Sequence, residues 1–313
     1  MNKLTVVIPA YYAEDTIMRA IKSIQNSSEP ANIIVVEDGV YDNLQSKLND
    51  IENLQLVTKL HNEGASAARN TGLDLVVTKY VFFLDSDDYV DANLFTSLID
   101  VLSEKKADLG FGPWTFVYDN ISSDIIKFPQ NKSNTEYIAD WLRSICFPPC
   151  SVMWRTEAIR QIGGWNETYS NKDDTELVIR ALMSDLNVAI TDKGCGFYVQ
   201  HESGMRLSRL PAKIASEASD RIYQTIFKSK SIQSNVDIRS ALAFFCYEQA
   251  RRTYRSGEKD LGLLWHQRAR DLGLSSHLGS SSHILLSSLL GLKLKENLAS
   301  YRDRFSFIKH RFK

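Results

Sequence analysis

Cysteine is scarce in this chain. There are four among 313 residues, Cys146, Cys150, Cys195 and Cys246, and none sits in a CxxC pair. That spacing suits neither a zinc ribbon nor a disulfide scaffold and points to reduced thiols in a cytosolic protein. No run of about 18 apolar residues exists, so no membrane-spanning helix is expected. The opening stretch MNKLTVVIPA has too short an apolar run before Pro9 to act as a signal peptide. Neither charge sign dominates: 37 Lys and Arg against 38 Asp and Glu leave a net charge of −1, and nothing global attracts nucleic acid. No internal repeat is visible. What remains is an ordinary globular composition, 43% hydrophobic and 24% charged, enough for one large domain or one domain with an appendage.

The first hundred residues alternate. LTVVI (4–8) is a β-branched run that reads as a buried strand ended by Pro9. Ile17, Ile21 and Ile24 recur at helical spacing within 14–26. IIVV (33–36), LQLV (54–57) and YVFFL (80–84) read as further strands. Residues 42–50, 64–76 and 91–105 read as helices between and after them. Continuous apolar strands alternating with helices predict a mostly parallel sheet covered on both faces.

In such sheets ligands bind beyond the carboxyl ends of the strands. There the sequence places Tyr11 and Glu14 after the first strand, Asp38 after the second, and Asp85, Asp87 and Asp88 after the fourth. Each acid alone has a structural explanation. Asp38-Gly39 is a common turn pair, and Asp91 suits a helix cap. Their gathering at one edge is harder to explain by structure alone.

Beyond residue 106 the pattern is less regular. LGFGPWTFVY (109–118) and SDIIKF (123–128) read as two antiparallel strands, 134–145 as a helix and CSVMW (150–154) as a strand. A Gly-rich loop then leads into a helix within 162–183, and GFYVQH (196–201) is a last strand ending on His201. From about 210 onward only helices are expected, with helical spacing clearest in 214–228 and 238–254.

An Asp-x-Asp on a tight turn offers hard oxygen ligands to Mg²⁺ or Mn²⁺, whose charge offsets the repulsion of the acids. Such metals serve phosphate-bearing groups. A phosphatase of the haloacid dehalogenase type would carry its acids on the first strand, with Thr or Val where this chain has Tyr89. The competing chemistry is transfer of a sugar from a nucleotide diphosphate.

Five segments, in order, resemble family-2 glycosyltransferases. They are VVIPAYYAEDTIMRAIKSIQNSS, IIVVEDGVYDN, HNEGASAARNTGL, YVFFLDSDDYV and GGWNETYSNKDDTELVIRAL. The resemblance covers about the first two hundred residues. It implies a GT-A fold: an α/β, Rossmann-like, mostly parallel central sheet with helices on both faces, followed here by a helical region. The expected division is a catalytic domain over 1–208, with a nucleotide-sugar half at 1–105 and an acceptor half at 106–208, and a helical C-terminal region over 209–313.

The resemblance also implies roles. Pro9, Tyr11, Glu14 and Asp38 lie where the family contacts the nucleotide, Asp38 at the base edge. Arg69 matches the arginine near base and diphosphate, the alternative being a charge on a helix surface. Asp85 and Asp87 match the Asp-x-Asp that contacts ribose and holds Mn²⁺ or Mg²⁺, with Ser86 between them at the nucleotide. Asp88 could equally orient the turn. Asp173-Asp174 matches a Glu-Asp pair, which makes Asp174 the catalytic base, although an Asp at a helix start also serves as a cap. His201 is a candidate third metal ligand. Trp165 is either a platform for an acceptor sugar or a core residue. Glu37 and Val40 depart from the usual Asp and Ser and leave the donor's base open.

The expected activity is inverting transfer of a hexosyl or N-acetylhexosaminyl group from a nucleotide-diphosphate sugar, UDP-linked by default. The acceptor would be a hydroxyl of a saccharide or lipid-linked chain in bacterial surface-polysaccharide synthesis. Two alternatives are a metal-dependent nucleotidyl- or phosphotransferase and a non-catalytic sugar-nucleotide-binding scaffold. The first would want a basic phosphate-gripping loop where this chain has PAYYAED. The second would be expected to lose the acids that are present here. The expected location is the cytoplasm, with peripheral contact to the inner face of the membrane or a homodimer as roles for the C-terminal helices. HILLSSLLGLKLKENL (283–298) and the basic-aromatic YRDRFSFIKHRFK (301–313) prompt that reading, against simple packing on the catalytic domain.

Overall fold

A computed structural model describes residues 2–40, 44–119, 121–200, 211–229 and 235–300. The chain divides into two compact units. One comprises Met1–Asn134 and Cys146–Gly204, the other Thr135–Ile145 and Met205–Lys313.

The first unit is built on a seven-stranded sheet. Its strands are β1 (Leu4–Ala10), β2 (Ala31–Glu37), β3 (Leu54–Thr58), β4 (Tyr80–Phe83), β6 (Leu109–Phe111), β9 (Val152–Arg155) and β10 (Val188–Ile190). Their order is β10-β6-β9-β4-β1-β2-β3. All pairs are parallel except those of β9, which runs antiparallel to β4 and β6. Leu4, Val6, Val7 and Ile8 are fully buried, as a central parallel strand covered on both faces requires. Helix α1 (Ile17–Gln25) buries Ile17, Ala20, Ile21 and Ile24 from one side. Helix α3 (Ala65–Leu75) approaches closely because Gly72 faces the sheet: a Cβ there would sit 2.3 Å from Val7 Cγ1. Helices α2 (Leu44–Leu48), α4 (Leu94–Glu104) and α6 (Thr156–Gln161) also belong to this unit.

β1 continues through Pro9 to Ala10 rather than ending before the proline. Asp38 N donates to Ala10 O, while Leu84 N donates to Val7 O. Pro9 therefore faces the β4 side, beyond the last β1–β4 pair, where no ladder donor is needed.

The expected strand 109–118 is two strands in two sheets. Gly112-Pro113 breaks it: the Gly112 N–H donates to Ser151 O and Pro113 has no N–H to offer. After the break β7 (Trp114–Tyr118) joins a second sheet of order β5-β11-β7-β8, with β5 (Tyr89–Val90), β8 (Ile121–Ser122) and β11 (Gly196–Gln200). The expected strand 123–128 is not formed: β7 pairs instead with β8 just before it, and only one bridge, Trp114 to Ile126, falls within the expected range. There the Ser123 hydroxyl accepts from Phe116 N, substituting for ladder bonds. CSVMW begins as a 3-10 turn over Pro149–Ser151 before β9. The short β5 and β10 and helix α6 carried no readable sequence pattern.

The second unit is helical. It includes most of α5 (Asn134–Leu142) and the helices Ala212–Lys228, Val236–Arg255, Lys259–Asp271 and Ser281–Leu290, with residues 292–300 also helical. Asn235 caps the second of these, accepting from the N–H groups of Asp237 and Ile238. Trp265 is fully buried against Tyr223 and Phe245 and donates its indole N–H to Ser216 Oγ at 2.8 Å. No helix among the described residues is long and apolar enough to cross a membrane.

Candidate functional site

β4, β1 and β2 are neighbours in the sheet, so their carboxyl ends deliver side chains to one edge. From β1 come Tyr11 and Tyr12, both exposed, with ring centroids 4.6 Å apart. Tyr12 adopts a positive φ of 48°, uncommon for a bulky residue and a sign of a loop held by its surroundings. Glu14 follows, paired with Lys47 at 3.0 Å on the surface.

From β2 comes Asp38. It is buried, and its two oxygens accept from Glu63 N at 2.9 Å and Gly64 N at 2.8 Å. It thereby fixes the loop that opens α3. A contact with a nucleotide base would use its remaining lone pairs.

From β4 comes the acidic turn. Asp88 N donates to Asp85 O at 3.0 Å, closing a tight turn around Ser86 and Asp87. The three acids separate by role. Asp88 is fully buried, and its Oδ1 accepts from Val199 N at 2.8 Å, tying β11 to the turn. Asp87 is half-buried, and its carbonyl accepts from Arg19 Nη2 at 2.5 Å. Asp85 faces Arg69. Asp91 lies outside this group: it accepts from the N–H groups of Asn93 and Leu94 at the start of α4.

Arg69 lies at the centre. It is buried on the inner side of α3, not on the helix surface. Its Nη2 donates to Asp85 Oδ1 at 2.5 Å and its Nη1 to Asp173 Oδ2 at 2.8 Å, while its guanidinium covers the Trp165 ring at 4.3 Å. Burial alone would lower its pKa, but Asp85 and Asp173 outweigh that and hold it above its usual value. Trp165 is thus a buried support for the arginine and no open platform for a sugar.

The acid pair opens helix α7 (Asp173–Met183). Asp173 accepts from Ser66 Oγ as well as from Arg69. Asp174 is half-buried and accepts from Thr175 N at 2.7 Å. It borders a small apolar pocket with Phe83, Trp154, Trp165 and Leu177. Burial pushes the Asp174 carboxyl up to about 6, and the neighbouring Asp173 carboxylate adds to the rise.

Residues that sequence reasoning did not single out hold these groups in place. Asn70 reads the Trp165 backbone from both sides, donating to its carbonyl at 2.9 Å and accepting from its N–H at 2.8 Å. Arg180 donates to the carbonyls of Ile162 and Gly164 and pairs with Glu176. Gly164 has φ 66°, and a Cβ there would lie 2.8 Å from Asn70 Oδ1. Asn70 was visible as part of the ARNTG segment, but its partner lies 95 residues away.

Among the described residues no three His, Cys, Asp or Glu side chains gather as a metal cluster. Asp85 and Asp87 supply two hard oxygen donors on one turn. That donor set fits Mg²⁺ or Mn²⁺ as a site completed by phosphate oxygens and water. His201 lies outside the described residues.

Comparison with known proteins finds relatives in sequence and in fold. Poly(ribitol-phosphate) beta-N-acetylglucosaminyltransferase TarP of Staphylococcus aureus is 28% identical over 274 residues, covering 83% of this chain and 81% of that protein. Glycosyltransferase GlyA of Streptococcus pneumoniae is 32% identical over 115 residues, which are 36% of this chain and only 16% of GlyA. The crystal structure of S. aureus TarS 1-349 in complex with UDP-GlcNAc shares the fold, with a TM-score of 0.61 at 16% identity over 86% of this chain and 92% of that one. The family model described as glycosyl transferase family 2 matches residues 5–162, ending before the Asp173-Asp174 pair. With half of its length matched by that model, and the strand ends and acidic turn arranged as described, the chain belongs to glycosyl transferase family 2.

Proposed function

We propose that this protein is an inverting glycosyltransferase that moves a hexosyl or N-acetylhexosaminyl group from a UDP-sugar to an acceptor hydroxyl. The observation that carries the proposal is the bridge made by Arg69. One guanidinium joins the acidic turn at Asp85 to the acid pair at Asp173-Asp174, so a diphosphate-binding edge and a proton acceptor share one site.

Asp174 takes the proton from the acceptor hydroxyl as its oxygen attacks the anomeric carbon. Attack from the face opposite the departing nucleoside diphosphate inverts the configuration. Arg69, positively charged and held from both sides, faces the negative charge that develops on the leaving group. Tyr11, Glu14 and Ser86 line the nucleotide side, and Asp38 sets the loop that closes it. Mg²⁺ or Mn²⁺, held by Asp85 and Asp87, would supply further positive charge against the diphosphate when bound. His201 completes this set in the proposal.

Support for the donor comes from the crystal structures of S. aureus TarS in complex with UDP-GlcNAc and with UDP. Support for the acceptor comes from TarP, whose name gives poly(ribitol-phosphate). Saccharide, lipid-linked and polyol-phosphate hydroxyls are therefore the acceptors to try, on the cytoplasmic side of the membrane where the donor would be met.

The test is calorimetric titration of UDP, GDP, CDP and dTDP, each with and without Mn²⁺, on the wild type and on Asp87→Ala. Binding of UDP that needs the metal and vanishes in the variant supports the site. No nucleotide binding in the presence of metal would sink it and bring a scaffold role forward.

A further inference from the structure

The helix Ser281–Leu290, SSHILLSSLL, is inside out. Its two buried residues are the polar His283 and Ser287, one turn apart. His283 Nε2 meets Tyr247 Oη at 3.0 Å and Ser287 Oγ at 3.3 Å, so the polar stripe is anchored in the helical unit. The apolar residues Ile284, Leu285, Leu286, Leu289 and Leu290 are all exposed, Leu285 at 60% and Leu289 at 72%. A helix facing water does the opposite, burying its apolar stripe and exposing its polar one. Leu294 and Leu298 continue the exposed apolar surface over the next helical stretch. A contiguous apolar patch of this kind marks a partner surface.

We propose that this face docks on an anionic membrane surface. The choice of a membrane over another protein rests on the charge that follows the patch along the sequence. From residue 291 to the last residue the chain carries seven Lys and Arg and two acids, whereas the whole chain is net −1. One of those acids, Glu296, is fully buried and neutralised by Arg251, Arg255 and Lys295. Tyr301, Phe305, Phe307 and Phe312 are interleaved with the basic residues. Leucines beside Lys, Arg and aromatic residues suit the boundary between acyl chains and anionic headgroups. At 1.5 Å per residue the helix is about 15 Å long, half the hydrocarbon thickness, so it lies in the interface and does not span it.

The experiment is flotation of the full chain with vesicles of phosphatidylcholine alone or with added phosphatidylglycerol. The variants are Leu285→Glu/Leu289→Glu and, independently, Lys293→Gln/Lys309→Gln/Arg311→Gln/Lys313→Gln. None of the altered residues has a role in the proposed active site, and unchanged circular dichroism confirms folding. The wild type is expected to float with the anionic vesicles, at least about tenfold more than either variant, and less as salt rises. Absence of wild-type flotation, or flotation unchanged in the leucine variant, overturns the proposal. A wild-type dimer that becomes monomeric in the leucine variant, with no vesicle binding, also overturns it and assigns the face to a second copy. None of these outcomes depends on glycosyl transfer.

Discussion

Arg69 Nη1 donates to Asp173 Oδ2 at 2.8 Å, joining helix α3 to the start of α7 across 104 residues of sequence. The same guanidinium holds Asp85, so three buried or half-buried charges form one unit. Removing its centre has two separable consequences.

Arg69→Met leaves Asp85 and Asp173 without their shared cation. Breaking a buried pair in this way costs about 3–5 kcal/mol, so a lower Tm is expected. Arg69→Lys keeps the charge but cannot bridge both acids or stack on Trp165. It should recover part of the Tm while turnover of the UDP-sugar stays down by about 100-fold. Thermal unfolding and donor turnover on both variants check this, and full turnover in Arg69→Lys would refute the bridging role.

The pH dependence follows from Asp174. A base must be deprotonated, and its carboxyl titrates at about 6. kcat/KM should therefore fall as pH drops through about 6 and level off above it. Stability should run the other way. The folded pKa lies above the unfolded one, so the ionised group opposes folding at high pH and stops doing so once protonated. Asp174→Asn should abolish turnover yet raise Tm near about pH 8, with the gain fading toward about pH 4. A wild-type rate that does not respond to pH in this range would contradict the assignment.

Asp87 and Asp88 are adjacent and should behave differently. Asp88→Ala leaves the Val199 N–H without its carboxylate acceptor and should cost about 1–3 kcal/mol of stability. Asp87→Ala should remove metal-dependent UDP binding. Denaturant unfolding beside calorimetry distinguishes the two, and equal effects from both substitutions would show that the acids act as one group.

The loop carrying Trp165 depends on Asn70. Asn70→Ala removes both hydrogen bonds to the Trp165 backbone, at about 1 kcal/mol each. Gly164→Ala forces a Cβ toward Asn70 at a positive φ and should cost a comparable amount. Because Trp165 carries Arg69, both variants should lose turnover as well as Tm. A Tm loss with kcat/KM intact would confine Asn70 to a purely structural role.

The sequence determined what depends on neighbours along the chain. Apolar runs marked β1 to β4, helical spacing marked α1 and α4, and acids following those runs had to emerge at the carboxyl edge. It also brought Asp85, Asp87 and Asp174 to attention through ordered motifs. Short elements such as β5 and β10 were illegible, because two or three residues carry no period.

Tertiary structure alone decided how similar residues divide their work. Nothing local distinguishes Asp88, pinned to Val199 111 residues away, from Asp87 beside it. Nothing local turns Arg69 inward between partners 16 and 104 residues distant, or places Asp174 rather than Asp173 against an apolar pocket. Nor does SSHILLSSLL reveal that His283 and Ser287 face in while its leucines face out. Burial and partner choice depend on which distant segments approach, and the free energy of a charge or an apolar side chain is set by those neighbours.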